Sequence, residues 1–473
     1  MKKFNVFIIF TLLILTLFGC SKTEKPNIIW ITIEDQSQYL LPFNGNDDVS
    51  LPNLEKIAKE SLIFENMYAT YPVCAPARSA IITGMYPNSI GTHNMRAFHF
   101  GNYYNKGFKV GKRGQHEEVL EVPYYSSKLA ESIKTFPHIL RENGYFTYND
   151  NKGDYNYLIN LDSTWSEYNT KNKLSKIQSP IFAVYNYNVT HESEMWKRDK
   201  KELKVDPNKL KIIPPIFPDD SIVRHSLAVN YSNLIEMDRQ VGKLVENLKK
   251  EDLYDDSYIF FYSDHGGPFP RHKRAIYETG TKVPFFVKPP KGKKENIDTN
   301  QFLNFIDFAP TILSIAGIEI PSFLQGIAFL GKYKNEEKRD YLFTSSDRFD
   351  EHPDRIRAVR DKKFKYIRNY FPENSHALNV AYRRQMVLMR HLSSLHLQGK
   401  LSKEHELWFR VPKLKEELYD LENDPFELNN LSNKSEFAKE LNILSETLDN
   451  WIEEIDDLGR IPEKELYKMI SGD

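Results

Sequence analysis

The chain has 473 residues and a formal net charge of -1, with 64 Lys and Arg against 65 Asp and Glu. A chain of that length can bury a large core, split into a major and a minor domain. The charge balance excludes a global pull toward nucleic acid or an acidic membrane, so steering falls to local charge. The 27 tyrosines and 30 phenylalanines would suit sugar-stacking surfaces, although ordinary packing accounts for most aromatic residues.

Lys2 and Lys3 precede an apolar run from Val6 to Phe18, broken only by Thr11 and Thr16. The run is too short for a comfortable bilayer span and reads as a secretory leader. Leu17-Phe18-Gly19-Cys20 resembles a bacterial lipobox, with Phe18 bulkier than usual at its position. The resemblance implies a signal peptide over 1–19, lipidation of Cys20 and an anchor linker over 20–26. Two or more acyl chains would anchor the protein stably on the periplasmic side or the cell surface. A cleaved leader without lipid is the alternative.

Asn27 to Ile33 is a short β-branched run that reads as a buried parallel strand. Glu34 and Asp35 follow at its end. Ligands of open α/β sheets sit at the carboxyl ends of strands, so two acids there are placed for a cation. Alone, such a pair is also an ordinary solvated turn. Pro52 to Phe64 reads as a helix and then a strand.

Cys74-Ala75-Pro76-Ala77-Arg78-Ser79-Ala80-Ile81-Ile82-Thr83-Gly84 comes next. Pro76 suits a helix start, because its ring presets φ and it has no N–H to lose. Cys74 would then sit at the helix mouth, where free N–H groups favour negative charge, with Arg78 one turn along the same face. Taken as bare chemistry, Cys74 is equally an anion-handling nucleophile or a small buried hydrophobe.

Cys-x-Pro-x-Arg followed by Thr-Gly at this spacing resembles the signature of the type I sulfatases of the alkaline phosphatase superfamily. The resemblance implies that Cys74 is oxidised by a formylglycine-generating enzyme to formylglycine (3-oxoalanine), whose hydrated aldehyde is the nucleophile. It also implies an α/β fold: a large mixed, mostly parallel sheet sandwiched by helices, with a smaller C-terminal α+β subdomain on an antiparallel sheet. Family members carry two aspartates after the first strand as calcium ligands, and Glu34 stands for the first of them here.

Further along, Ser89 to Arg96 would bring His93 and Arg96 to the cleft as substrate contacts if the loop turns back at Gly91. Residues Asn102 to Tyr125 are rich in glycine and charge, which reads as a loop insertion. Thr135 to Tyr145 reads as a helix capped by Thr135 and ended by Asn143-Gly144, then Tyr145 to Tyr148 as a strand. Lys152 matches a family lysine in the Asn149 to Asn156 stretch, and Asp154 stands where the family carries a catalytic histidine. The strand Ile181 to Tyr187 delivers His191, which aligns with the leaving-group histidine. Val223 to Lys250 has helical spacing.

Ser257 to Ser263 is another core strand, followed by Asp264, His265 and a glycine turn. Asp264 is expected as a metal ligand. His265 fills the slot where the family uses Asn or His, although calcium prefers oxygen. Lys273 matches the lysine that touches the sulfate and the leaving oxygen, and Phe305 to Leu313 reads as a helix. The catalytic domain then spans 27–335 and the smaller subdomain 336–473. In the latter, Tyr341 to Thr344, Ile356 to Arg360 and Phe364 to Ile367 read as antiparallel strands, and Glu416 to Leu421 resembles the family's last strand. Asp361-Lys362 reads as a tight turn, and a helix runs from Glu436 to Ile455.

The resemblance therefore implies one calcium ion held by Glu34, Asp35, Asp264, His265 and the Cys74-derived group. Arg78, Lys152 and Lys273 would neutralise the sulfate, and His191 would protonate the leaving oxygen. Asp154 would take the final proton, with His93 and His138 as alternative bases. With Cys20 lipidated and Cys74 oxidised, no cysteine remains for a disulfide. The implied substrate is a sulfated oligo- or polysaccharide, algal or glycosaminoglycan. Asn149 to Asn156 and Ala358 to Arg368 resemble relatives of heparan N-sulfatase. A phosphomonoester or phosphodiester hydrolase on the same fold and a catalytically dead glycan-binding protein are the competing readings.

Overall fold

The computed structural model describes residues 25–95, 127–170, 174, 177, 180–350 and 352–471. Cys20 with the leader, Arg96 and the expected 102–125 insertion lie outside the described residues.

Among the described residues nine strands precede residue 305: β1 (Asn27–Ile33), β2 (Leu62–Ile63), β3 (Met67–Tyr68), β4 (Phe146–Asn149), β5 (Glu167–Tyr168), β6 (Ile181–Tyr187), β7 (Ser257–Ser263), β8 (Phe285–Lys288) and β9 (Leu303–Asn304). Seven of them form one sheet in the order β2-β8-β7-β1-β6-β4-β5. From β7 to β5 every pairing is parallel, whereas β8 runs antiparallel to both β7 and β2. The strands β3 and β9 pair separately.

The central strand shows why this is a three-layer structure. Its residues alternate between faces, and both faces are buried. Ile28 and Trp30 join one core, Ile29, Ile31 and Ile33 the other. On the first side the Trp30 ring centre lies 5.3 Å from Phe136, 5.0 Å from Phe182 and 5.4 Å from Phe308. Those rings bring in the helices Phe136–Glu142 and Phe308–Ile315. On the second side Leu227, Leu234, Met237 and Val241 line one face of the helix Ser221–Lys250. That helix starts two residues before the apolar periodicity, because Asp220 caps it by accepting from the N–H groups of Ile222 and Val223.

Beyond residue 341 lies a four-stranded antiparallel sheet of β10 (Leu342–Ser346), β11 (Ile356–Arg360), β12 (Phe364–Asn369) and β13 (Glu416–Asp420), in that order. Asp361 closes the β11–β12 turn by accepting from the N–H groups of Lys363 and Phe364 at 2.8 and 2.6 Å. The helix Ala438–Glu454 covers this sheet, its Trp451 stacked on Phe343 with centroids 4.7 Å apart. Both the fold class and the C-terminal antiparallel sheet agree with expectation. No helix among the described residues is long and apolar enough to cross a membrane.

What positions the site is strand register. Ile33 lies opposite Ser263 on one side and Tyr187 on the other. The residues following β1, β6 and β7 therefore emerge side by side at one sheet edge. The end of β4 joins them, with Asn149 paired to Val184.

Candidate active site

The nucleophile segment enters as extended chain at Val73 and turns into the helix Cys74–Thr83. The helix begins two residues before the expected start at Pro76. Its first backbone bond runs from Ala77 N–H to Val73 O at 3.2 Å. Pro76 is thus third in the helix, still among the positions whose N–H has no intrahelical acceptor, and nothing is lost. Gly84 ends the helix at φ +66, where a Cβ would also press on Leu324 and Ala309 at 2.8 and 2.9 Å. Cys74 is a buried free thiol. Its Sγ lies 3.2 Å from His265 Nε2 and 3.3 Å from Lys273 Nζ. Burial raises the thiol, but Lys273 and His265 outweigh it and bring it down to about 7.

Around the thiol, one ligand atom each from Asp35, Cys74, Asp264 and His265 falls within 4.8 Å of all the others. Asp35, Asp264 and His265 are wholly buried. The backbone of Asp35 is left-handed, at φ 54, and its N–H donates to Asp264 Oδ1 at 3.2 Å. The turn after β7 needs glycine, since a Cβ on Gly266 would lie 2.1 Å from Thr279 O. Burial disfavours a charged His265, yet Asp264 and Asp35 raise it to about 10. Lys273 is driven the same way: burial lowers it, while Asp35, Cys74 and Glu192 hold it well above the usual lysine value. Asp35 accepts from Lys273 Nζ at 3.0 and 2.9 Å. Two buried carboxylates converging with a thiol and an imidazole fit one divalent cation in spacing and donor chemistry.

Glu34 is placed differently from the expected ligand set. It lies outside that group of four, and its longer side chain is engaged by cations. Lys152 Nζ lies 2.6 Å and Arg78 NH2 3.3 Å from its Oε1. Burial would raise this carboxyl, but Lys152, His191 and Arg78 pull it down to about 2. Arg78 also donates from Nε to Asp264 Oδ2 and from NH1 to Asn186 Oδ1, both at 3.1 Å.

His191 follows a single 3-10 turn after β6, and its Nε2 lies 3.3 Å from Lys273 Nζ. The backbone N–H of Ser193 points at His191 Nδ1 from 3.2 Å. The Lys273 ammonium is a donor as well, so each ring nitrogen of His191 faces a donor.

The remaining candidates divide. Asp154 forms no ion pair with Lys152 within 4.0 Å, and its buried Oδ1 has no hydrogen-bond partner among the described residues. Its loop is tied down by Asn156, whose Nδ2 donates to Thr92 O and Asn94 O at 2.7 and 2.8 Å. His93 is buried beside that contact, Nε2 3.4 Å from Asn94 Nδ2 and Nδ1 without a partner among the described residues. His138 pairs with Glu142 on its own helix, and no described hydrogen bond joins it to the site.

Sequence reasoning missed Glu192 and Arg274. Glu192 accepts two hydrogen bonds from Arg274 at 2.8 and 2.9 Å, stands 3.3 Å from Lys273 and donates its own N–H to Asp35 Oδ2 at 2.7 Å. Each is the chain neighbour of a recognised residue, a signal that adjacency to His191 and Lys273 carried. Asn186 was missed too. Its place depends on strand register, which the sequence does not display.

Comparison with known proteins agrees with the geometry. The sulfatase family pattern matches residues 26–318, more than half of the chain, and the N-sulphoglucosamine sulphohydrolase C-terminal family matches residues 267–383. An ulvan-active sulfatase of Formosa agariphila is 38% identical over 94% of this chain and 78% of its own length. Human N-sulphoglucosamine sulphohydrolase is 22% identical over 93% and 92%. Among solved structures, a protein in complex with its substrate D-glucosamine-2-N,6-O-disulfate superposes with a TM-score of 0.62 at 16% identity, over 92% of this chain and 99% of that one. The phosphonate monoester hydrolase of Silicibacter pomeroyi also reaches 0.62 at 16%, over 91% and 96%. These structural likenesses speak for a shared alkaline phosphatase-like fold and no more. The extent of the sequence match decides the rest: the chain belongs to the sulfatase family, the sulfuric ester hydrolases.

Proposed function

We propose that this protein removes sulfate from a sulfated oligo- or polysaccharide, with formylglycine at position 74 and calcium in the cluster beside it. The observation that carries the reading is the surroundings of Cys74, where Lys273 and His265 crowd the thiol beside two buried carboxylates. Asp35, Asp264, His265 and the group at position 74 would hold the metal. When bound it supplies Lewis-acid charge that lowers the pKa of a hydroxyl and offsets the sulfate oxygens. Export as a lipoprotein through Cys20 belongs to the same proposal and is supported by the leader residues alone.

The chain's own residues supply the rest. Arg78 and Lys152 share Glu34 as a common anchor. A sulfate arriving between them would meet two cations already aligned, which is the main demand of this chemistry. His191 Nε2 and Lys273 Nζ stand together on the leaving-group side, and His191 would pass its proton to the departing sugar oxygen. Glu192 keeps Arg274 and Lys273 charged and in place.

The relatives named above act on ulvan and on sulfated glucosamine, which supports a sulfated carbohydrate as the substrate class. The test is product analysis with sulfated ulvan and glycosaminoglycan oligosaccharides, together with peptide mass spectrometry. Sulfate release by protein carrying an aldehyde at position 74 is expected. Full activity with an unmodified thiol, or in Cys74→Ala, overturns the formylglycine. Phosphate or phosphonate release without sulfate release favours the competing hydrolase, and binding without turnover the dead-site reading.

A further inference from the structure

The carboxyl ends of β4 and β6 carry a chain of amides that the chemistry above leaves without a task. Asn186, 5% exposed, donates from Nδ2 to Asn149 Oδ1 at 3.1 Å and to Asp150 Oδ1 at 2.9 Å. An amide oxygen and a carboxylate oxygen accept only, so together they settle which end of the Asn186 amide is nitrogen. Its oxygen must then face Arg78, and NH1 lies 3.1 Å from it. Asp150 Oδ1 tightens the joint by also accepting the backbone N–H of Asn186 at 3.1 Å. On the far side the wholly buried Asn149 donates from Nδ2 to the carbonyl oxygen of Lys152 at 2.7 Å. One hydrogen-bonded path therefore runs from Arg78 through Asn186 and Asn149 to the backbone of Lys152.

We propose that Asn186 is a positioning residue that aims Arg78 and, through Asn149, Lys152 at a single sulfate group, so that the β4–β6 edge braces both cations as one unit. The inference rests on the reading of Arg78 and Lys152 as the sulfate clamp. Its physical basis is the kind of acceptor involved. Glu34 and Asp264 hold Arg78 with negative charge, which offsets the attraction a sulfate would feel. A neutral amide oxygen holds NH1 in direction and leaves the charge available. Without it, the guanidinium has only the two carboxylates to turn toward. Asp150 keeps the amide from flipping, a motion that would set an NH2 against NH1.

The test uses the full-length enzyme, with inorganic sulfate as a competitive inhibitor and melting temperature measured alongside. For Asn186→Ala we expect KM and the sulfate inhibition constant to rise together, about tenfold, the effect of losing one oriented hydrogen bond to a charged group. Asn186→Asp, nearly isosteric, keeps an oxygen on Arg78 but adds charge there and sets a carboxylate against Asp150. It should raise both constants at least as much, and it decides the matter if the alanine variant does not fold. A fall in kcat alone, tracking the fraction of folded protein while KM and the inhibition constant stay put, marks a merely structural residue and overturns the proposal. Arg78→Lys is the control that separates the two ideas. If it leaves sulfate inhibition unchanged, the clamp reading fails and the brace with it; if it weakens inhibition while the Asn186 variants do not, only the brace fails.

Discussion

Lys152 Nζ sits 2.6 Å from Glu34 Oε1, and that carboxylate is 1% exposed. A cation from the loop after β4 is thereby tethered to the end of β1, and Arg78 shares the tether. The arrangement gives Glu34 a task apart from metal binding. Glu34→Gln keeps the shape and removes the charge, so both cations lose their common counterion. The expected result is a fall in kcat/KM of about 10- to 100-fold, matching roughly 1.5–3 kcal/mol for a hydrogen bond to a charged group. Steady-state kinetics check it, and an unchanged kcat/KM removes Glu34 from the clamp.

The convergence of Asp35, Asp264, Cys74 and His265 makes the metal testable without an assay of turnover. Ligand that binds only the folded state raises its stability, by about 2.7 kcal/mol at a hundredfold excess over Kd. Calcium should raise the melting temperature of chelator-treated protein and restore its activity. Asp264→Asn should abolish the shift. Restoration of activity by zinc alone would point to the phosphatase-type reading instead.

A third prediction concerns the joint between the C-terminal sheet and the nucleophile segment. Arg357 is wholly buried, donating from Nε to Asp457 Oδ2 at 2.6 Å and from NH1 to Asp347 Oδ2 at 3.0 Å. Asp347 in turn accepts from the Tyr71 hydroxyl, three residues before Cys74. Burial would raise the Asp457 carboxyl, but Arg357 brings it down to about 2 from 3.8. The folded state thus binds fewer protons than the unfolded one. Its stabilisation is fully present above pH 4 and lost as pH falls toward 2, amounting to about 2 kcal/mol. Asp457→Asn should therefore lose stability at pH 7 and show a shallower decline between pH 4 and 2. Denaturant unfolding across that range measures both, and parallel pH profiles for the two proteins would refute the assignment.

These predictions also mark what could be read before the fold was known. The strands β1 and β7 were legible because a strand buried on both faces is written as an unbroken apolar run, and their acids follow directly. The start of the nucleophile helix was misplaced by two residues because Pro76 is equally tolerated anywhere in the first turn. Its position after β1 marks Glu34 as a candidate metal ligand. Only the fold shows Lys152 and Arg78 reaching it. The partners of Arg357 lie 10 and 100 residues away along the chain, and no local pattern announces a buried ion network assembled over such separations.

The last prediction turns on the orphaned oxygen of Asp154. The Lys152 ammonium pairs with Glu34, with no ion pair to Asp154 within 4.0 Å, and the Asp154 charge acts on Lys152 only from a distance, helping to hold it protonated. A buried carboxylate oxygen without a donor is costly to keep, and it is suited to accept a proton when the site turns over. If Asp154 is the base that allows sulfate to leave the enzyme, Asp154→Asn preserves the shape and removes the proton acceptor. The first turnover should then proceed at close to the wild-type rate, releasing one equivalent of desulfated sugar. Steady-state turnover should fall by about 10²–10⁴-fold, the usual contribution of a general base. Rapid-mixing kinetics resolve the two phases. A slowed burst would return Asp154 to a supporting role beside Lys152, and an unchanged steady state would remove it from the reaction.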